Sequence, residues 1–241
     1  MNRVTAILPA AGLGTRMGAE TPKQFLSLDG VPVLLFTLRR LAACPAITEF
    51  IISTRAEEVD SVAATVASAN IGRPVRVVRG GDSRQDSVAN ALSEVAPGTE
   101  LILVHDAVRP LVTRDQIERV IAEAAICDAA ILGIPAMDTV KEVKRATPQG
   151  GASDVALITA TIPRERVVLA QTPQVFRASL LLEAFARARQ DGVSASDEAG
   201  LVERLGRDVH VVPGSDRNLK ITRPGDMELA EFYLRQERAA R

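Results

Sequence analysis

Val4-Thr5-Ala6-Ile7-Leu8-Pro9-Ala10-Ala11-Gly12-Leu13-Gly14-Thr15-Arg16-Met17-Gly18 runs from an apolar, β-branched stretch into a loop of small residues, with Pro22-Lys23 close behind. The first five residues read as a strand and the rest as the turn leading out of it. Glycine and alanine leave backbone amides open to an anion, and Arg16 and Lys23 add positive charge. The combination is suited to the phosphates of a nucleotide. Two familiar versions of such a loop fail on detail. The third small residue of a dinucleotide fingerprint is replaced by Met17, and no Gly-Lys-Ser/Thr follows as a P-loop requires, because Ala19-Glu20 comes after Gly18.

Outward from this stretch, strand-like runs near 4–8, 47–53, 75–79, 100–104 and 128–134 alternate with helical periods near 32–43, 57–69, 84–95 and 114–126. This βαβ rhythm predicts an α/β, Rossmann-like, mostly parallel sheet flanked by helices. The unbroken apolar run Leu101-Ile102-Leu103-Val104 fits a strand covered on both faces. Ligands in such sheets sit beyond the carboxyl ends of the strands. Three loops are expected to converge there: Pro9 to Gly18, Gly80-Gly81-Asp82-Ser83, and His105-Asp106-Ala107-Val108-Arg109-Pro110.

The pattern changes over 136–168, where charged residues and the polar turn Thr147-Pro148-Gln149-Gly150-Gly151 separate two extended segments. This predicts a protruding β-arm on a single domain spanning 1–241. A hairpin buries little surface alone, so the arm points to a second copy of the chain and a homodimer. Further helices are expected near 177–190, 197–205 and 225–239, with a short strand near 209–212.

Composition narrows the function. The 241 residues carry 29 Lys and Arg against 30 Asp and Glu, a formal net charge of -1, so the basic field that attracts duplex nucleic acid is lacking. Six Phe, one Tyr and no Trp do not make a stacking platform for single strands. The expected partners are therefore small molecules rather than nucleic acid. Cys44 and Cys127 show no metal or redox spacing and are expected as reduced core thiols. Neither a signal-peptide layout nor an apolar run of membrane-spanning length occurs, which predicts a cytoplasmic protein with no membrane partner.

Asp106 follows a buried-type strand and faces the phosphate loop, where a carboxylate would ligate Mg²⁺ together with triphosphate oxygens. Gly81, Asp82 and Ser87 supply donors and acceptors for a nucleobase edge, and Ser83 is a candidate helix cap. His105 and His210 are read as structural. Lys220, in Asn218-Leu219-Lys220-Ile221-Thr222-Arg223-Pro224, offers a third cation beside Arg16 and Lys23.

The blocks Pro-Ala-Ala-Gly-x-Gly-x-Arg-Met, Pro-Lys-Gln, Gly-Gly-Asp-x-Arg-x-Asp-Ser, Val-His-Asp-Ala-x-Arg-Pro, Asp-Thr-x-Lys, Thr-Pro-Gln-x-Phe, Asp-Glu-Ala and Lys-x-Thr-Arg-Pro occur in this order over nearly the whole chain. The set resembles the 2-C-methyl-D-erythritol 4-phosphate cytidylyltransferases of the nucleotidyltransferase superfamily. The resemblance implies the nucleotide-diphospho-sugar transferase type of fold, a reaction of CTP with methylerythritol phosphate that gives CDP-methylerythritol and pyrophosphate, a Mg²⁺ requirement, and an arm that reaches across a homodimer. It implies CTP contacts at Ala10, Ala11, Gly12, Gly14, Gly81, Asp82, Ser87 and Asp106, and catalytic cations at Arg16, Lys23 and Lys220. Substrate contacts fall on Asp106, Arg109, Thr139, Arg164, Thr172 and Ser196, with Arg166 competing for the place of Arg164 and Ser196 standing where threonine is expected. Two alternatives remain at the level of sequence: a cytidylyltransferase for another polyol phosphate such as ribitol 5-phosphate, and a non-catalytic regulatory subunit of the same fold.

Overall fold

The computed structural model describes residues 3–12, 22–145 and 156–239. Eleven strands and seven α-helices are found among them. Seven strands form one sheet in the order β11-β7-β10-β6-β1-β4-β5: β1 (Val4–Pro9), β4 (Ile47–Thr54), β5 (Val75–Arg79), β6 (Leu101–Val104), β7 (Ala129–Pro135), β10 (Val168–Arg177) and β11 (His210–Pro213). The expected βαβ strands pair in parallel, β1 lying between β4 and β6 and β4 beside β5.

Both faces of the sheet are covered, as the unbroken apolar runs require. Leu101 and Leu103 of β6 join a cluster with α1 (Val33–Ala42), α2 (Val59–Ser68) and α4 (Arg114–Cys127). Ile102 and Val104 face the opposite way, toward α3 (Arg84–Leu92), α5 (Ala178–Asp191) and α6 (Glu198–Glu203). The last helix, α7 (Pro224–Ala239), buries Ala230 and Leu234 against Leu28, Val33, Val108, Leu111 and Ile221.

Two features depart from the sequence reading. One is a hairpin of β2 (Ser27–Leu28) and β3 (Val31–Pro32), turned by Asp29 (φ 54°) and Gly30 (φ 77°), both in the left-handed region that Asp-Gly turns favour. The other is β10, which lies between β6 and β7 and is antiparallel to both. Its run Gln171-Thr172-Pro173-Gln174 lacks strand character, and the register breaks between Gln171 and Gln174. The polar side chains there bond to neighbouring loops instead of packing in the core.

The excursion expected over 136–168 is the antiparallel pair β8 (Val140–Arg145) and β9 (Ala156–Ile162), separate from the main sheet. The ends of the expected range belong to the main body. Ala136 N donates to Val167 O at 3.1 Å, and Val168 already pairs with Pro135. The turn expected at 147–151 lies outside the described residues, as do Gly14 and Arg16.

Candidate active site

The loops after β1, β5 and β6 converge as the topology predicts. Gly80 reaches over the end of β4, its N–H donating to Thr54 O at 2.6 Å. A Cβ at Gly80 would stand 2.7 Å from Ala11 Cβ, and one at Gly81 would stand 2.3 Å from Asp86 Cβ. Only glycine lets the second loop close on the first. Ser83 then caps α3 in a capping box: Asp86 N–H donates to Ser83 Oγ at 3.0 Å and Ser83 N–H to Asp86 Oδ2 at 3.1 Å. The buried Ser87 hydroxyl accepts from Gly81 N–H at 3.1 Å and donates to Ser83 O at 2.9 Å, setting the shape of this loop. On the other side, buried Gln24 donates to Ala10 O at 2.7 Å and ties the turn bearing Lys23 to the end of β1.

Ala10, Ala11, Gly12, Lys23, Gly81, Asp82, Ser87, Asp106 and Lys220 all line one pocket. Arg84 lines it too.

Asp106 is the hub. Its buried carboxylate meets Arg84 Nε at 3.1 Å, Lys220 Nζ at 2.9 Å and Arg109 Nε at 3.4 Å. Burial alone would favour the neutral acid. Three cations at these distances each attract it by about 4 kcal/mol at an effective dielectric near 20, which together outweighs a desolvation penalty of several kcal/mol. Arg84, Lys220 and Arg109 thus hold Asp106 well below the usual carboxylate range. Arg84 also forks onto Glu198, Nη1 to Oε1 at 2.7 Å and Nη2 to Oε2 at 2.9 Å. Burial opposes the charge on Arg84, yet Glu198 and Asp106 raise its pKa above the ordinary guanidinium value. Burial raises Glu198 above its ordinary value, with Arg84 acting in the opposite direction.

The supports of this hub come from distant parts of the chain. The Thr172 hydroxyl accepts from Asp106 N–H at 3.0 Å and contacts His105 Nδ1 at 3.1 Å, while His105 Nε2 meets Arg109 O at 3.1 Å. Burial pushes His105 down to about 4, so it is a neutral positioning group, in line with its structural reading. Asn218, fully buried, donates its side-chain amide to Thr172 O at 2.9 Å and accepts from Arg109 Nη1 at 2.7 Å through its backbone carbonyl. Ile221 N–H donates to Val108 O at 2.9 Å, so Lys220 is held between two anchors. Buried Gln174 donates to Asp197 Oδ2 at 2.7 Å and accepts from Ala199 N–H at 3.1 Å, fixing the first turn of α6 and with it Glu198.

Sequence reasoning missed Arg84, Glu198, Gln24, Gln174 and the role of Asn218 as a strut. Arg84 and Glu198 stand inside quoted blocks, but their pairing across 114 positions leaves no local signal. Of the remaining expected contacts, Thr172 lies beneath the pocket with its hydroxyl engaged, and Ser196 is exposed just before the α6 cap. Thr139 is exposed and Arg164 donates to Met137 O at 2.8 Å; neither lines the pocket within one chain. His210 pairs with Glu123 at 2.7 Å, away from the pocket.

Arg84, Arg109 and Lys220 meet two buried carboxylates, Asp106 and Glu198, and Lys23 lines the same pocket as Asp106, a positive surplus suited to an anionic ligand. The donor set also fits a divalent cation. A carboxylate accepts at about four lone-pair sites, three of which are engaged at Asp106, and a phosphate-held Mg²⁺ needs only one or two protein carboxylates.

Comparison with known proteins places similar chains in one group. A family model described as IspD, 2-C-methyl-D-erythritol 4-phosphate cytidylyltransferase, matches residues 4–236. The chain is similar to proteins of that name from Solibacter usitatus, 52% identical over 98% of each chain, and Acidobacterium capsulatum, 55% identical over 97% of this chain and 98% of the other. It superimposes on the crystal structure of 4-diphosphocytidyl-2C-methyl-D-erythritol synthase from Anaerococcus prevotii with a TM-score of 0.81, 28% identity, and coverage of 97% and 99%.

Proposed function

The chain belongs to the 2-C-methyl-D-erythritol 4-phosphate cytidylyltransferase family, and from that premise we propose how its pocket carries out the reaction. The enzyme transfers CMP from CTP to 2-C-methyl-D-erythritol 4-phosphate, giving 4-diphosphocytidyl-2-C-methyl-D-erythritol and pyrophosphate in the non-mevalonate route to isoprenoids. An oxygen of the substrate phosphate attacks the α-phosphorus of CTP in line, and the bond to the bridging oxygen breaks, its electron pair leaving on pyrophosphate. Two anions must meet, so charge neutralisation matters more than proton transfer. The phosphate monoester is already a nucleophile, and no general base is assigned.

Ala10, Ala11, Gly12 and Gly14 receive the triphosphate through backbone amides, and Gly81, Asp82 and Ser87 face the cytosine side. Lys23, Lys220 and Arg16 stabilise charge on the pentacoordinate transition state. Asp106 would hold Mg²⁺, whose charge would offset that of the triphosphate and of the leaving pyrophosphate. Arg109 takes the substrate phosphate, with Thr139, Arg164 and Ser196 around the polyol, while Thr172 serves it from beneath by holding Asp106. The observation that carries the reading is the contact of Lys220 and Asp106 beside the small-residue loops.

Thr139 and Arg164 complete the site from a second copy, the arms exchanging across a homodimer. The exposed apolar side chains Val143, Leu157 and Ile158 support this reading. No helix among the described residues is long and apolar enough to cross a membrane, and both cysteines are free, in keeping with work in the cytoplasm.

The test is pyrophosphate release by the purified chain with CTP, Mg²⁺ and either methylerythritol phosphate or ribitol 5-phosphate. Turnover with the first and little with the second is expected. The reverse preference would overturn the substrate assignment, and CTP binding without any turnover would favour a regulatory subunit.

A further inference from the structure

On the flank of the sheet, three side chains that the reaction does not use come together. Glu123 and Cys127 are four residues apart at the end of α4 and therefore share one face of it. His210 opens β11, the edge strand beside them. Its Nδ1 lies 2.7 Å from Glu123 Oε1, and one donor atom from each of the three residues lies within 4.8 Å of the others. This is the one cluster of such donors among the described residues.

The cluster's surroundings favour a cation. Cys127 Sγ faces two carbonyl oxygens, Glu123 O at 3.1 Å and Ala129 O at 3.2 Å. It also ends α4, where the last carbonyls of a helix concentrate partial negative charge. Sulfur, imidazole nitrogen and carboxylate oxygen form a borderline-soft set that suits Zn²⁺ and its neighbours, not the hard Mg²⁺. Metal bonds of about 2.0–2.3 Å set tetrahedral donors about 3.5 Å from one another, so the His210–Glu123 pair, at 2.7 Å, opens as the ion enters between them, an adjustment that side-chain torsions supply.

The geometry points to a Zn²⁺-class site formed by Glu123, Cys127 and His210, with water in the fourth position, that staples the edge strand β11 to α4. Such a staple has work to do. β11 pairs on one side only, with β7, and the chain leaving it carries Asn218 and Lys220 into the pocket. His210 stands at the amino end of β11, the end away from the pocket, so the ion affects stability and leaves the chemistry unchanged.

The experiment titrates the metal-free full-length protein with Co²⁺, without nucleotide. A thiolate-to-cobalt charge-transfer band should saturate at one equivalent and disappear when Zn²⁺ displaces cobalt. Cys127→Ser should abolish the band, and His210→Gln and Glu123→Gln should each weaken cobalt binding by about tenfold or more. At a hundredfold excess over Kd, Zn²⁺ should raise the melting temperature of the native protein by about 5–10 °C and leave Cys127→Ser unchanged. Unaltered cytidylyl transfer in all three variants would show that they fold. Absence of the band in the native protein, its persistence in Cys127→Ser, or indifference to His210→Gln would each overturn the site.

Discussion

The pocket and the arm solve opposite problems with the same chain. Around Asp106, charged and polar side chains from α3, the loop after β6, β10, α6 and the β11–α7 connection close on one another, and the principal charges are paired within the protein. The arm is a two-stranded ribbon with Val143, Leu157 and Ile158 more than half exposed, at 53%, 51% and 63%. A buried polar network organises its own surroundings because an unpaired charge there costs several kcal/mol. An exposed apolar ribbon organises nothing by itself, since its driving force appears only when a partner removes it from water. The carboxylate hub is therefore set within one chain, whereas the arm's apolar side chains find no cover in it.

Lys23→Ala should lower kcat by about 10²–10³ while KM for CTP moves little, because a cation facing developing charge acts mainly on the transition state. Steady-state kinetics would show this, and an unchanged kcat would remove Lys23 from the chemistry. Arg84→Ala strands the buried Glu198 carboxylate and removes one anchor of Asp106, and should cost about 3 kcal/mol of stability, a fall of about 6–12 °C in melting temperature. A melting curve that does not move would mean the network is not cooperative.

His105 sharpens the contrast through pH. Its folded pKa of about 4 lies below the ordinary 6.5, so between these values the unfolded chain binds the extra proton. Stability is then complete above pH 6.5 and falls as pH drops toward 4, by up to about 3 kcal/mol. Asp106 adds its own loss only below the ordinary carboxylate value of 3.8. Urea unfolding across this range should show the slope, and His105→Gln should flatten it between 6.5 and 4. The smallest effect belongs to the arm. Leu157→Ser with Ile158→Ser should shift the unfolding free energy of the dilute chain by no more than about 0.5 kcal/mol per site, while sedimentation should show loss of the proposed dimer. A large fall in the urea midpoint would show that the ribbon is supported by its own chain.

Much of the scaffold was legible because its signals are local. The unbroken apolar run Leu101 to Val104 fits a doubly covered strand, and Ser83 marks the start of a helix as a cap. The position of Asp106 followed from the rule that parallel sheets bind ligands at their carboxyl ends. The strand β10 escaped because Gln171, Thr172 and Gln174 are polar for reasons lying far away, in Ser215, Asp106 and Asp197. Arg84 escaped as a site residue because a lone arginine on a capped helix looks like any solvated one until Glu198 is brought beneath it.

The sequence by itself determined the alternation of strands and helices, the small-residue loops and the family, since each depends on neighbours a few residues apart or on ordered blocks along the chain. Only the tertiary structure decided that β10 lies antiparallel between β6 and β7, and that Arg84, Arg109 and Lys220 share one carboxylate. The reason is physical. A hydrogen-bond period is written into consecutive residues, whereas the charge state of Asp106 depends on which cations folding brings within about 4 Å, where their attraction exceeds the cost of burial.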